Sequence, residues 1–177
     1  MTKIDTIFLK IQASYHPRQQ ASIRLPKKGK NMRKYDLVGW REWVSLPELG
    51  IAKIKAKVDT GARTSALHAF SLKPFKEGNK DRISFDIHPL QHNTVNVVTC
   101  FADIIDLRWV SDSGGHREER YVISTPVIIG ETSWPIEVTL TERDTMLFRM
   151  LLGRSAISRR FSVNPARSFL TTKKIKL

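Results

Sequence analysis

The chain has 177 residues and a single cysteine, and its 30 Lys and Arg outweigh 17 Asp and Glu to give a formal net charge of +13. That length suits one domain, or one domain with a tail. No run of about 18 apolar residues is present to span a membrane as a helix, no compact apolar core follows the first Lys to make a secretory signal, and a lone Cys100 cannot build a disulfide framework and fits a reducing, cytoplasmic setting.

The positive charge is concentrated at the start. Residues 1–34 carry nine Lys and Arg and one acid, whereas residues 35–177 carry 21 and 16. The leader has few large apolar residues after Ile11 and contains Pro17, Pro26 and the Lys27–Lys30 cluster. It reads as a disordered basic extension. Three readings of it stay open: an arm that touches RNA or an anionic surface through counterion release, a spurious extension ahead of a true start at Met32, or a transit peptide.

From residue 35 onward the pattern is that of one all-β domain. Residues 37–46 read as a strand with Trp40 and Trp43, ended by Pro47 and Gly50. Residues 51–58 alternate, with Ile54, Ala56 and Val58 on one face and Lys53, Lys55 and Lys57 on the other. This is a half-buried strand with a basic, wet face. Thr64 to Phe70 returns as an extended segment. Residues 71–81, with Pro74, Gly78 and Asn79, read as a loop. Ile83, Phe85 and Ile87 alternate again. Residues 95–110 give one or two apolar strands, with Cys100 as an inert core thiol. Ser111 to Glu118 hold Gly114-Gly115 among polar residues and read as a hairpin tip. Tyr121–Ile129 and Trp134–Leu140 pair around Gly130. The four Trp read as core or interface anchors. One short helix is expected over Ser155–Arg160. Many short strands with Gly and Pro turns point to a barrel or sandwich.

Two short motifs stand out. Val58-Asp59-Thr60-Gly61-Ala62 puts an Asp in a loop at the end of an alternating strand, the signature of an aspartic peptidase. Leu151-Leu152-Gly153-Arg154 is the second half of a retropepsin protomer. Peptide hydrolysis needs a base to activate water and an acid to protonate the leaving nitrogen. Two carboxylates at close range share one proton and so supply both. The chain holds one Asp-Thr-Gly; Asp103, Asp106 and Asp144 are not followed by Thr or Ser and Gly, and Asp112-Ser113-Gly114, which has that order, falls in the segment read as a hairpin tip. A symmetric homodimer would set Asp59 against its own copy.

The match extends further. The block from Lys57 to Ala69, with Gly39-Trp40-Arg41-Glu42-Trp43-Val44, Glu137-Val138-Thr139-Leu140, Met150-Leu151-Leu152-Gly153-Arg154 and Val163-Asn164-Pro165, resembles the RimK-associated "ATP-dependent zinc protease" family. That family is RimB-like and is grouped with retropepsin-like peptidases. The resemblance covers about Leu37 to Leu170. It implies a retropepsin-like closed barrel with one short C-terminal helix. Asp59 would be the catalytic carboxylate. Thr60, Gly61, Gly153 and Arg154 would support the active-site loop, with Thr60 and Arg154 also serving the dimer contact. Asn164 stands where an Asp is common in the family.

Ala62, Arg63 and His68 follow the catalytic loop and are read as substrate-binding. Ala62 lacks the hydroxyl that many aspartic peptidases place there. Arg63 and His68 would favour acidic peptides; the alternative for both is a solvated strand edge. Association with an ATP-grasp glutamate ligase points to acidic or glutamylated tails as substrates. No cofactor is expected. The chain has no His-Glu-x-x-His and no Gly-x-x-x-x-Gly-Lys-Ser/Thr loop, and Pro89 breaks any helix that would align His88 with His92. His16 and His116 lie apart from these. The zinc label and direct ATP binding therefore find no motif. A second class of function stays open: a non-catalytic retropepsin-fold binding module, associated with ribosome or RNA through the basic arm.

Overall fold

In the computed structural model, alternating apolar residues build eleven strands among the described residues. They are β1 (Asp36–Gly39), β2 (Arg41–Leu46), β3 (Ile51–Val58), β4 (Ser65–His68), β5 (Phe70–Glu77), β6 (Lys80–Ile87), β7 (Val98–Ser111), β8 (Arg117–Ile129), β9 (Thr132–Thr141), β10 (Met150–Leu152) and β11 (Phe161–Asn164). A single helical turn, α1 (Arg154–Ile157), follows β10. The structure describes residues 35–91, 95–111, 115–142 and 147–171. The basic extension lies outside the described residues, as do His16, His92, Asp112, Gly114 and Asp144. Among the described residues no helix is long and apolar enough to cross a membrane.

Nine strands form one sheet in the order β2-β3-β10-β4-β9-β8-β7-β6-β5, and β1 pairs separately with β11. A further pairing, Ser45 with Ile128, joins β2 to β8 and closes six of the strands into a ring. The fold is retropepsin-like and almost entirely β. Its core is the inward set of each alternation. Ile54 and Ala56 on β3 are fully buried, as are Ile83 and Ile87 on β6, Val138 on β9 and both Met150 and Leu152 on β10. Burying each such side chain contributes on the order of 1.5–3 kcal/mol.

Three segments differ from the sequence reading. Residues 37–46 form two strands that part at Trp40 and join different partners. Residues 71–81 are mostly strand: β5 pairs with β6 through Pro74 opposite Ile83, and Gly78-Asn79 alone makes the turn. The proline is tolerated because β5 is an edge strand, whose outer N–H groups face water. The segment Ser111–Glu118, read as a hairpin tip, is partly strand: β7 runs to Ser111 and pairs with β8 as far as Ser111–Arg117. The tryptophans also diverge. Trp134 is buried and donates its indole N–H to Ala156 O at 3.0 Å, whereas Trp109 is 59% exposed.

The Gly39–Val44 block has a physical role. Glu42 is fully buried, yet its carboxylate accepts from Gly39 N at 2.7 Å, Leu170 N at 2.8 Å, Thr171 Oγ1 at 2.9 Å and Thr171 N at 3.4 Å. A buried carboxylate is tolerable only when so many donors replace water. A Cβ on Gly39 would sit 2.4 Å from Arg167 O, so only glycine lets this closing segment approach. Trp40 O in turn accepts from Val58 N at 2.9 Å, directly ahead of Asp59. Asn164 Oδ1 accepts from Ala166 N at 3.0 Å, so its side-chain oxygen makes the turn that an Asp oxygen would.

Removing this carboxylate orphans four donors. Glu42→Ala is expected to lower stability by about 3 kcal/mol, read from urea denaturation midpoints; a change below about 0.5 kcal/mol would contradict the clamp. The second test concerns the thiol. Cys100 is 1% exposed, and burial, with the nearby Asp86 charge as a smaller cause, pushes its pKa from 9.0 up to about 12. The folded state therefore keeps the thiol protonated where the unfolded chain ionises. Its contribution to stability is full below about pH 9 and is lost as pH rises towards 12. A disulfide reagent at pH 8 should leave the native thiol untouched and titrate it stoichiometrically after denaturation.

Candidate active site

Strand β10 decides the geometry of the site. It lies between β3 and β4, parallel to the first and antiparallel to the second. The two strands flanking Asp59-Thr60-Gly61 are therefore held apart, and the loop of residues 59–64 must arch over the end of β10. Asp59 N donates to Leu152 O at 2.8 Å, which pins the start of the arch. Asp59 Oδ1 accepts from Gly61 N at 3.0 Å and Ala62 N at 3.2 Å. The side chain thus folds over its own loop in an Asx-type turn, and the carboxylate keeps its second oxygen clear of these bonds.

The segment after β10 fastens the far side. Arg154 donates from one guanidinium nitrogen to Thr60 O at 2.8 Å and Gly61 O at 2.7 Å. Arg154 N donates to Ala62 O at 2.9 Å, and Ser155 donates to Arg63 O from its N at 3.0 Å and its Oγ at 2.9 Å. Four consecutive loop carbonyls, residues 60–63, are thereby satisfied by two residues. Gly153 N donates to Ser65 Oγ at 3.2 Å, and Thr139 Oγ1 donates to Ser65 O at 3.1 Å. A Cβ on Gly153 would lie 2.5 Å from Thr64 C and 2.8 Å from Arg63 O. Only glycine permits that contact.

Asp59 opens onto a cleft of about 980 Å³. Its lining comes from the loop (Asp59, Gly61, Ala62, Arg63, Thr64), from the sheet (Ala66, Glu137, Thr139, Leu151), from Arg154, and from the β7–β8 hairpin (Arg108, Trp109, Val110, Ser111, Arg120). Asp59, Gly61, Ala62, Arg63 and Arg154 are thus brought together. Thr60 is exposed at the crest of the arch, and Gly153 lies beneath the arch. His68 is not with them. It is 1% exposed on β4, shares Ala66's face two residues further from the loop, and packs beside Phe70 with ring centroids 6.5 Å apart. Its burial removes it from both the substrate face and the solvated edge foreseen for it. Of the paired histidines considered for a metal, His88 stacks on Phe70 at 4.7 Å.

Charges in the cleft are largely matched. Arg108 bonds Asp106 at 2.7 Å and Glu137 at 3.1 Å, and these carboxylates, Asp106 first, push it above the ordinary arginine range. Arg120, 7% exposed, bonds Glu118 at 2.8 Å. The Arg108–Glu137 pair ties the hairpin to the sheet that floors the cleft. Sequence reasoning missed it because its members are 29 residues apart. Ser65 and Ser155 were also missed, although each lies beside a motif that was read.

A barrel of this topology with an Asp-Thr-Gly arch clamped by Gly-Arg defines a retropepsin-like aspartic endopeptidase fold. A family model described as "RimB-like: Retropepsin-like aspartic endopeptidase RimB" matches residues 37–174, and the chain belongs to that family. It is 43% identical over 133 residues to a protein of Shewanella pealeana named "Probable alpha-L-glutamate ligase", and 48% identical over 134 residues to one of the same name from Parasynechococcus marenigrum. These matches cover 75% and 76% of this chain, and in both cases 29% of the relative's length. A crystal structure of a Legionella pneumophila protein of unknown function superposes with a TM-score of 0.66 at 24% identity, covering 78% of this chain and 99% of that one. That likeness concerns the fold.

The contact at Gly153 gives a direct test. Gly153→Ala is expected to lower the melting temperature by about 4–8 °C or more, since a clash with backbone costs on the order of 1–3 kcal/mol. It should also broaden or shift the amide resonances of residues 59–64. An unchanged melting curve and loop spectrum would show that the arch does not depend on this glycine.

Proposed function

We propose that this chain is an aspartic endopeptidase that acts as a homodimer on acidic or glutamylated protein tails. The observation that carries the reading is the state of Asp59. Its carboxylate faces a peptide-sized cleft, and its loop is fixed by six hydrogen bonds to Leu152, Arg154 and Ser155 and by two within the loop. Such fixation holds a reacting group in place without reorganisation.

One carboxylate cannot serve as base and acid at once. Among the described residues the other carboxylate lining the cleft is Glu137, which is engaged by Arg108 at 3.1 Å. In this reading the second member of the dyad is Asp59 of another copy of the chain, as one Asp-Thr-Gly per chain suggests. With two Asp59 carboxylates adjacent, one holds the shared proton. The ionised carboxylate takes a proton from water, the water oxygen attacks the scissile carbonyl carbon, and the protonated carboxyl hydrogen-bonds the developing oxyanion. Proton transfer to the amide nitrogen then releases the amine. The hairpin residues Arg108–Ser111 line the same cleft from the other wall, which suits a flap that covers substrate.

The acidic substrate class is supported by exposed Arg63 at the arch and by the names of relatives as glutamate ligases, enzymes whose product would bear added glutamate. The same names support a functional association with an ATP-grasp glutamate ligase. Wild-type protein is expected to cleave a glutamate-rich peptide, and Asp59→Asn to lose about 10³-fold or more in kcat/KM with an unchanged melting curve. Cleavage by Asp59→Asn at the wild-type rate would overturn the mechanism, as would inhibition by a chelator that added zinc reverses.

A further inference from the structure

The floor of the cleft is part of a row that crosses five strands. Thr139 on β9 faces Ala66 on β4, Ala66 faces Leu151 on β10, Leu151 faces Lys57 on β3, and Lys57 faces Arg41 on β2. Register partners present their side chains to the same side of a sheet. Thr139, Ala66 and Leu151 line the cleft. Lys57 and Arg41 are the next two positions, about 5 and 10 Å beyond Leu151 at the usual spacing between strands. Burial agrees with this parity: Glu42, Val44, Ala56 and Val58 are buried, while Lys57 is exposed and Arg41 half-buried.

These two cations differ from those inside the cleft. Arg108 and Arg120 are held by carboxylates, and Arg154 by loop carbonyls. Among the described residues no carboxylate forms an ion pair with Lys57 or Arg41. Arg41 is nevertheless fixed. Its Nε donates to Ser168 Oγ at 3.1 Å, and its guanidinium carbon lies 4.5 Å from the Trp40 ring centroid and 5.1 Å from that of Phe169. A guanidinium held by a hydroxyl and two aromatic rings, with N–H groups to spare, is a pre-organised carboxylate receptor.

We propose that Lys57 and Arg41 form a carboxylate-binding subsite, continuous with the cleft, that selects peptides with acidic side chains one to two strand spacings beyond the residue seated on Leu151. The subsite rests on the reading of the cleft as a peptide-binding site. Its partner is an acidic polypeptide: the row leads from the two cations onto the aliphatic side chains of Leu151 and Ala66, which suit the side chains of an extended peptide.

The test uses the full chain carrying Asp59→Asn, so that binding is read without cleavage. Fluorescence anisotropy would compare a glutamate-rich peptide, its glutamine counterpart and an oligouridylate. Lys57→Gln and Arg41→Gln are each expected to weaken the glutamate peptide by about five- to tenfold and to flatten its salt dependence, leaving the glutamine peptide within about twofold. Lys53→Gln, on the same strand but outside the row, should change neither. Arg41→Lys, which keeps the charge, guards against loss of fold at that position and should recover part of the binding. The subsite is overturned if the glutamate peptide binds all these variants as it binds the parent, if Lys53→Gln weakens it equally, or if oligouridylate is the ligand whose affinity the two substitutions lower. Cleavage by the chain with Asp59 intact separates the two readings. Selective binding without any cleavage leaves the subsite standing and removes the peptidase; equal kcat/KM for glutamate and glutamine peptides removes the subsite and leaves the peptidase.

Discussion

The placement of β10 between β3 and β4 is the constraint on which the rest of the structure depends. A strand inserted there prevents β3 and β4 from pairing and forces the chain between them into an arch. An arch carries backbone groups that no sheet satisfies, and these must be bonded elsewhere. The residues that leave β10 do this: Gly153 by approaching closely, Arg154 and Ser155 by capturing four carbonyls. The two motifs that look separate in the sequence are two sides of one contact. Neither has the same meaning alone, because Asp-Thr-Gly without the clamp is a flexible turn.

A second layer of fixation lies behind the first. Glu42 gathers Gly39 and the closing residues Leu170 and Thr171 around a buried carboxylate, and Trp40 O receives the N–H of Val58. The start of the domain, its end and the strand that delivers Asp59 are therefore joined through a few polar contacts within an apolar core. A buried charge of this kind adds little net stability over an apolar substitute but penalises any arrangement that leaves it unpaired. Its position favours specification of one arrangement of the segments that converge on the arch.

Much of this was legible in the sequence, for physical reasons that differ by element. β3 was read with its observed bounds because one face of it is buried and the other is wet, so the alternation of Ile54, Ala56 and Val58 with three lysines is visible. β5 was not, because Pro74, Gly78 and Asn79 signal a turn, and only the finished sheet reveals that the strand lies on an edge where proline costs little. The arch was found from its motifs, since close backbone approach requires specific residues at specific places. The pair Arg108–Glu137 had no local signature, as its members meet only after β7, β8 and β9 have assembled. His68 shows the reverse failure: proximity in sequence to the arch suggested a surface role, but on β4 it is almost fully buried. Trp109, read as a core or interface anchor, is not in the core: it stands exposed on the hairpin wall of the cleft.

The central claim is that the catalytic dyad is shared between two copies of Asp59. Mixing active and Asp59→Asn chains at constant total protein, with time for subunits to exchange, tests it most directly. If each active centre needs an intact Asp59 from both copies, peptidase activity falls with the square of the active fraction, so that an equal mixture retains about one quarter of the rate. A linear decline, with about half the rate retained, would mean that one chain suffices and would contradict the account.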